Sequence, residues 1–236
     1  MELHIFTEKE IPITSPDKWR EYAPPLNPGC QWKDYRSAKE LAKSVENATL
    51  APLLEKVLNR FNYPVPTEMD GVPEKATKLP WGRSGDRKHD LLLEDADKSL
   101  IIGIEAKADE PFDNSIEKKR LDSRKNADGG ANMSKRLDGI LNFIYGSNLP
   151  KNKEALMYQL LSATAGVILE ASNNNLKYAC ALFLVFESKN LDKQKLEKNE
   201  NDWKDFCKSL NIDENGGVIT IEGIRCLIVK EQIHLT

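Results

Sequence analysis

The chain has few of the residues that build metal clusters or disulfide frameworks. Its 236 residues include four cysteines and three histidines, and no cysteines are spaced as a Cys-x-x-Cys pair. This argues against a zinc cluster and favours buried free thiols in a reducing compartment. The longest apolar run, residues 178 to 186, is about half of a membrane span. The amino terminus has no basic region followed by an apolar stretch, so we expect a cytoplasmic protein without a membrane partner.

An excess of positive charge is also missing. Charged residues make up 30% of the chain, but the net charge is only −3, so any contact with nucleic acid must come from a local patch. The most polar segment, residues 113 to 136, provides one candidate. Its basic residues are a solvated insertion or a flap that guides a phosphate backbone, and both interpretations stay open. The candidate nucleic-acid-binding residues are Lys118, Lys119, Arg120, Arg124 and Lys125.

The order of elements predicts one mixed α/β domain over residues 1 to 236. Residues 1 to 31 are rich in proline and are interpreted as an irregular arm laid over the core, with a short strand at residues 4 to 6. Residues 63 to 73, with a turn at Asp70-Gly71, are interpreted as a surface connection. Helical spacing and turn signals predict the other elements. These are helices near 37 to 45, 52 to 61, 153 to 171 and 192 to 210, a strand at 178 to 186 buried on both faces, and a terminal strand pair at 218 to 221 and 225 to 229.

Two strand-like segments, residues 88 to 94 and 99 to 107, are separated by a link of hairpin length. Side chains two residues apart in a strand share a face, so Glu105 and Lys107 project together and Ala106 projects to the other side. Antiparallel pairing brings Asp90 to the same end of the hairpin. Two carboxylates and an ammonium on a rigid sheet suit a hard divalent cation with a phosphate beside it.

The Glu-x-Lys spacing is not specific, since it also occurs at Glu117 and Glu187. Only Glu105 has an acidic partner across a short link, namely Asp90. The alternative is a hairpin end that carries ordinary surface charges.

The arrangement resembles the core of the PD-(D/E)XK nuclease superfamily. Asp90 stands for the aspartate of the motif, after His89 instead of proline, and Glu105, Ala106 and Lys107 stand for (D/E)-x-K. The resemblance covers residues 37 to 187 and implies a restriction-endonuclease-like core, a central mixed sheet flanked by helices. The similarity to one uncharacterised bacterial family within it rests on Tyr35-Arg36-Ser37-Ala38, Lys107-Ala108-Asp109-Glu110-Pro111-Phe112 and Tyr158-Gln159-Leu160-Leu161.

This resemblance also implies a ligand set. Asp90 and Glu105 would hold Mg²⁺ or Mn²⁺, helped by the carbonyl of Ala106 and by Glu46 at the end of the first helix. Gln159 resembles the glutamine of a Gln-x-x-x-Tyr motif, although Ala163 occupies the tyrosine position. Glu110, just past the strand, is a further accessory candidate.

The implied function is Mg²⁺-dependent hydrolysis of phosphodiester bonds in DNA or RNA, with Lys107 as an electrostatic stabiliser. The alternative is a catalytically inactive nuclease-like module that binds a protein partner or nucleic acid, with phage defence as a role compatible with either. A homodimer is left open, because neither a coiled-coil pattern nor a clear apolar face indicates one.

Overall fold

A computed structural model describes residues 1–82, 85–108, 110–125, 130–188 and 192–235. A central mixed sheet of seven strands is flanked by helices, which confirms the prediction of a mixed α/β fold. None of the helices within these ranges is long and apolar enough to cross a membrane.

The strands are β1 (Glu2–Ile5), β2 (Glu68–Pro73), β3 (Ala76–Thr77), β4 (Arg87–Lys88), β5 (Leu91–Asp95), β6 (Leu100–Lys107), β7 (Tyr178–Glu187), β8 (Gly217–Ile221) and β9 (Ile224–His234). Their order across the large sheet is β1-β2-β5-β6-β7-β9-β8, and β3 pairs with β4 in a separate two-stranded sheet. The β5–β6 hairpin is antiparallel, as expected, with Leu91 opposite Ile104. Strands β6, β7 and β9 run parallel, and β6 is the middle strand of the seven, between β5 and β7.

The helices are α1 (Pro16–Tyr22), α2 (Pro28–Gln31), α3 (Ser37–Glu46), α4 (Leu50–Arg60), α5 (Ile116–Arg124), α6 (Gly130–Tyr145), α7 (Tyr158–Asn173) and α8 (Lys193–Leu210). A 3₁₀ turn at Lys153–Ala155 precedes α7. The helix expected near residues 192 to 210 is α8, and its Trp203 and Phe206 are fully buried.

Each face of the sheet has its own hydrophobic core. On one face, α3 and α4 pack with Leu41 and Leu54 against a cluster that includes Ile104 and Ala106. On the other face, α6, α7 and α8 pack against a cluster that includes Ile101. The alternation of β6 therefore sends even-numbered side chains toward α3 and odd-numbered side chains toward α7.

Two segments differ from their sequence interpretation. Residues 63 to 73 are not only a connection, because β2 lies between β1 and β5 in the sheet. Gly71 belongs to this strand and not to a turn, since a Cβ there would lie 2.6 Å from Ile5 Cδ1 and 2.7 Å from Leu93 Cδ2. The arm at residues 1 to 31 is also more regular than expected. Its short strand, expected at residues 4 to 6, is the edge strand β1, and the arm also contains two short helices that were not expected and buries Trp19.

The polar segment at residues 113 to 136 forms most of a helical pair. Helix α5 begins after Ser115, whose side chain accepts a hydrogen bond from the Lys118 amide, the usual arrangement at a helix N-cap. Helices α5 and α6 contact each other, and Ile116 and Leu137 are buried in the α7-side core.

Candidate active site

Strand pairing brings Asp90 next to Glu105. Leu91 is opposite Ile104, so Asp90, one residue before β5, continues the register opposite Glu105. The amide N–H of Ala106 donates to Asp90 Oδ2 at 2.6 Å, which fixes the carboxyl at the edge of the hairpin. Glu105 and Lys107 are on the α7 side of the sheet, as the alternation of β6 predicts.

Glu105 is the centre of a buried cluster of donors. Lys107 Nζ donates to Glu105 Oε1 at 2.6 Å, and Gln159 Nε2 donates to the same oxygen. Arg87 Nη2 donates to Oε2. Glu105 is 1% exposed, Lys107 7% and Arg87 9%. A carboxylate offers about four lone-pair positions, so three donors leave one on Oε2.

The ionisation of these groups follows from burial and from one another's charges. Burial and the charge of Glu105 raise the pKa of Asp90 to about 7, against the opposing effects of Lys107 and Arg87. Burial alone would raise the pKa of Glu105, but Lys107 and Arg87 hold it below its usual value. Burial would lower the pKa of Lys107, yet the charges of Glu105 and Asp90 outweigh burial and raise it. Lys107 is therefore an ammonium, and Asp90 is the group in this cluster that titrates near neutrality.

Gln159 and Glu110 also lie at this site. Gln159 is in the first turn of α7 and reaches Glu105 directly. Glu110 Oε2 accepts from the Ala108 amide at 2.7 Å, and Glu110 Oε1 accepts from Ser37 Oγ at 3.3 Å. Its charge also contributes to the raised pKa of Lys107. The structure thus places Gln159 in direct contact with Glu105, whereas Glu110 contacts Ala108 and Ser37 and acts on the site through its charge on Lys107.

Glu46 is not brought to this site. Helix α3 packs on the opposite face of the sheet from Glu105, and its first residue, Ser37, is the one that contacts Glu110. Glu46 is nine residues further along the helix, about 14 Å at 1.5 Å per residue. It lines a separate cavity with His4 and Trp19. The expectation that α3 completes the cation shell through Glu46 is therefore corrected.

Ala106 contacts this site through its backbone N–H. Its N–H donates to Asp90, and the role of its carbonyl as a metal ligand stays a prediction. The methyl group points into the α3-side core, as strand alternation requires.

Most of the basic residues on α5 are paired with acids of the same chain. Lys118 and Lys125 both contact Asp122, at 3.2 and 3.1 Å, and Lys119 contacts Asp113 at 2.6 Å. Arg120 contacts the carboxylates of two neighbouring segments, Asp138 and Glu154. Arg124 is exposed, and no ion pair of Arg124 occurs within the described ranges. Their role in binding nucleic acid stays a prediction.

Arg87 is a site residue that the sequence interpretation missed. Strand alternation would send it to the face opposite Asp90, together with His89. The strand is instead interrupted between β4 and β5, so the alternation does not continue, and the long side chain of Arg87 reaches Glu105. Its only sequence signal is a cation three residues before Asp90, which is common in so charged a chain.

His89 is a packed residue. Its Nε2 lies 3.0 Å from Thr77 Oγ1, and the residue is 1% exposed. Burial and the nearby charge of Arg87 place its pKa well below the usual value, so the ring is neutral. Gly103 and Gly166 make room for this ring, since a Cβ at either would lie 2.9 to 3.1 Å from it.

The carboxylate oxygens of Asp90 and Glu105 are of the kind that hold a hard cation with few protein ligands. Among the described residues there is no cluster of three His, Cys, Asp or Glu side chains that could enclose a metal ion. Mg²⁺ usually keeps several waters and is held by one or two carboxylates together with substrate phosphates. Asp90 and Glu105 are such a pair. Asp90 Oδ1 accepts no hydrogen bond from the described chain, and Glu105 Oε2 retains one lone-pair position.

Comparison with known proteins identifies a family without an assigned activity. The chain belongs to DUF6946, a domain of unknown function, whose family model matches residues 12–234. No curated protein and no solved structure matches the chain.

Proposed function

We propose that this chain is a Mg²⁺- or Mn²⁺-dependent nuclease that hydrolyses phosphodiester bonds of DNA or RNA. One observation carries the proposal: Asp90 and Glu105 meet at the end of a hairpin with Lys107 on the same strand as Glu105. The PD-(D/E)XK resemblance supports it as an analogy of motif and fold class, whereas the chemistry is argued from the site itself.

Asp90 and Glu105 are the residues that would hold the cation. When bound, such an ion polarises a phosphate oxygen and lowers the pKa of a water molecule. Proton and cation compete for Asp90, whose pKa is about 7, so occupancy is expected to increase as the pH rises through neutrality.

Lys107 stabilises the charge that develops on the phosphate. A water oxygen forms a bond to phosphorus while the bond to the leaving sugar oxygen breaks, and solvent accepts the proton of the water and supplies one to the leaving oxygen. The raised pKa of Lys107 makes it an electrostatic stabiliser and not a general base. Gln159 is a positioning residue, because it acts on Glu105 and fixes its orientation.

Nucleic acid is the proposed partner, and the cytoplasm is the proposed compartment. All four cysteines are free, and three of them, Cys180, Cys207 and Cys226, are buried thiols. Unpaired cysteines in this number fit a reducing compartment.

A second candidate function is a binding module without catalysis. It is favoured by the occupation of both Glu105 oxygens by the cationic side chains of Arg87 and Lys107. In that case the cluster attracts an anionic partner, nucleic acid or an acidic protein segment, without a metal ion.

The test is a cleavage assay with single-stranded DNA, duplex DNA and RNA, with Mg²⁺, Mn²⁺ or EDTA. We expect metal-dependent cleavage of at least one substrate and its loss in Asp90→Ala and Lys107→Ala. Lys198→Ala is the matched control, because Lys198 pairs with Asp202 on the exposed face of α8. Cleavage that survives in both site variants contradicts the proposed site. Metal-independent binding without cleavage favours the binding module.

A further inference from the structure

Arg87 has unused hydrogen-bonding capacity at the candidate site. It is nine-tenths buried, and Nη2 donates to Glu105 Oε2. Its Nε is buried without a hydrogen-bond partner in the described chain. Buried guanidinium groups are normally satisfied, because an unpaired N–H costs free energy that no water repays. An unused donor beside the Asp90–Glu105 pair points to an acceptor that arrives with a ligand.

The stem of Arg87 is held in place by close packing against α7. A Cβ on Gly166 would lie 3.3 Å from Arg87 Cγ, so the arginine runs directly over this glycine. Just before β4, Arg136 Nη1 donates to the Gly85 carbonyl. The aliphatic stem of Arg87 is therefore held in place, and only the guanidinium at its end can change partners.

Arg87 and a cation would compete for the same oxygen. The remaining lone-pair position of Glu105 is on Oε2, where Arg87 already donates. A divalent cation at that oxygen would face a guanidinium within a few ångströms, and like charges in a poorly solvated site repel strongly. Either the cation stays out or Arg87 exchanges Glu105 for another anion.

We propose that Arg87 is a phosphate-binding residue of this site. Without ligands, Arg87 pairs with Glu105; when a divalent cation binds, Arg87 leaves Glu105 and binds a backbone phosphate of the substrate. The inference rests on the proposed nuclease function and deepens it. Arginine suits this role better than lysine, because its planar fork binds two phosphate oxygens at once.

Reciprocal coupling between cation and phosphate follows. Without substrate, the Arg87–Glu105 pair weakens cation binding. Once a phosphate accepts Arg87, Glu105 is free for the cation, so each ligand strengthens the other by the same factor. A residue that merely supported the fold would not produce a gain in cation affinity when it is removed.

Calorimetric titration with Mn²⁺ at pH 8, without nucleic acid, tests whether the Arg87–Glu105 pair weakens cation binding. Arg87→Met keeps the apolar stem and removes the charge, and Glu105 retains Lys107 and Gln159. We expect Arg87→Met to bind Mn²⁺ at least 10-fold more tightly than the wild type, and Arg87→Lys to stay within about 3-fold of the wild type. Arg120→Met is the matched control, since Arg120 also pairs with carboxylates but lies outside the site; its Mn²⁺ affinity should be unchanged.

Fluorescence anisotropy with a labelled 20-nucleotide single-stranded DNA tests whether a bound cation strengthens phosphate binding through Arg87. Replacing EDTA with Ca²⁺ should raise the affinity of the wild type at least 5-fold, and this gain should vanish in Arg87→Met and shrink in Arg87→Lys. If Arg87→Met binds Mn²⁺ no more tightly than the wild type while Asp90→Asn abolishes Mn²⁺ binding, the role of Arg87 is overturned and the metal site stands.

If the coupling is observed and the wild type cleaves none of the three nucleic acids, the nuclease function fails and the phosphate site stands. If neither the wild type nor Arg87→Met binds Mn²⁺, both proposals are overturned.

Discussion

Two ion-pair clusters of this molecule have opposite ratios of positive to negative groups. In the buried cluster, one carboxylate, Glu105, receives two cations, Arg87 and Lys107. In the surface cluster, one cation, Arg120, contacts two carboxylates, Asp138 and Glu154. The side chain of Glu105 is 2% exposed, whereas Asp138 is 58% exposed.

The difference in solvation decides what each cluster can do. Water and salt screen the two carboxylates around Arg120, so their excess negative charge needs no partner and contributes little stability. The excess positive charge around Glu105 is largely removed from water. Asp90, which lies next to Glu105, has a pKa of about 7, and the charge of Glu110 acts on Lys107. The proposed anionic ligand is therefore expected at the buried cluster.

The largest expected effect is on folding stability. Glu105→Gln keeps the shape of the side chain but leaves Arg87 and Lys107 without their shared anion. Removing one partner of a buried ion pair costs about 3–5 kcal/mol, so we expect a loss of that size in the unfolding free energy measured with urea.

The matched change in the surface cluster is Arg120→Met. Pairs with exposed carboxylates contribute about 0–1 kcal/mol. Methionine keeps the stem of Arg120, whose side chain is 16% exposed, so the unfolding free energy should fall by about that amount. Equal losses in Glu105→Gln and Arg120→Met would remove the distinction between the two clusters.

The second prediction concerns catalysis. Lys107→Met should lower the rate of metal-dependent phosphodiester cleavage by about 100-fold or more, because one preorganised charge at the reacting group is lost. Lys198→Met, which removes an exposed lysine paired with Asp202, should change the rate less than 2-fold. The measurement is single-turnover cleavage of a labelled oligonucleotide, and similar rates in Lys107→Met and the wild type would contradict the assigned role.

The third prediction concerns pH. Since the folded-state pKa of Asp90 is raised from 3.8 to about 7, the folded state binds more protons than the unfolded state between these values, and stability falls as the pH rises. Relative to Asp90→Asn in EDTA, the wild type should lose about 3 kcal/mol of unfolding free energy from pH 4 to pH 7.

Urea titrations of both proteins across this pH range give the difference. A difference that is flat with pH would mean that Asp90 is ionised throughout, and saturating Mn²⁺ should reduce the loss in the wild type.

The smallest effect is expected on α5. Lys118 and Lys125 share Asp122, so Lys118→Gln combined with Lys125→Gln should weaken DNA binding less than 3-fold and barely change its salt dependence. A large fall in the salt dependence would restore the interpretation of α5 as a basic flap.

The sequence predicted the hairpin and the position of its three central residues because those features are local. A four-residue link fixes the pairing of β5 with β6, and strand alternation then fixes the face of Glu105 and Lys107. The burial of β7 on both faces was equally readable, since ten residues in a row are almost entirely apolar.

Features that depend on distant partners were not readable. Asp70 and Gly71 resemble a turn, yet Gly71 is required by side chains of β1 and β5 that approach from remote parts of the chain. The face on which α3 packs, and with it the distance of Glu46 from the site, is also set by tertiary packing. The contact of Arg87 with Glu105 was not predicted for a related reason. It depends on the interruption of the strand between β4 and β5, which the local pattern does not show.

The most direct test of the central claim is an anomalous diffraction experiment on crystals soaked with Mn²⁺ at pH 8. We expect an anomalous peak in contact with carboxylate oxygens of both Asp90 and Glu105, with Arg87 displaced from Glu105 Oε2. A site without a peak, in which Arg87 and Lys107 both remain bound to Glu105 at saturating Mn²⁺, would contradict the metal-dependent account and favour the binding module.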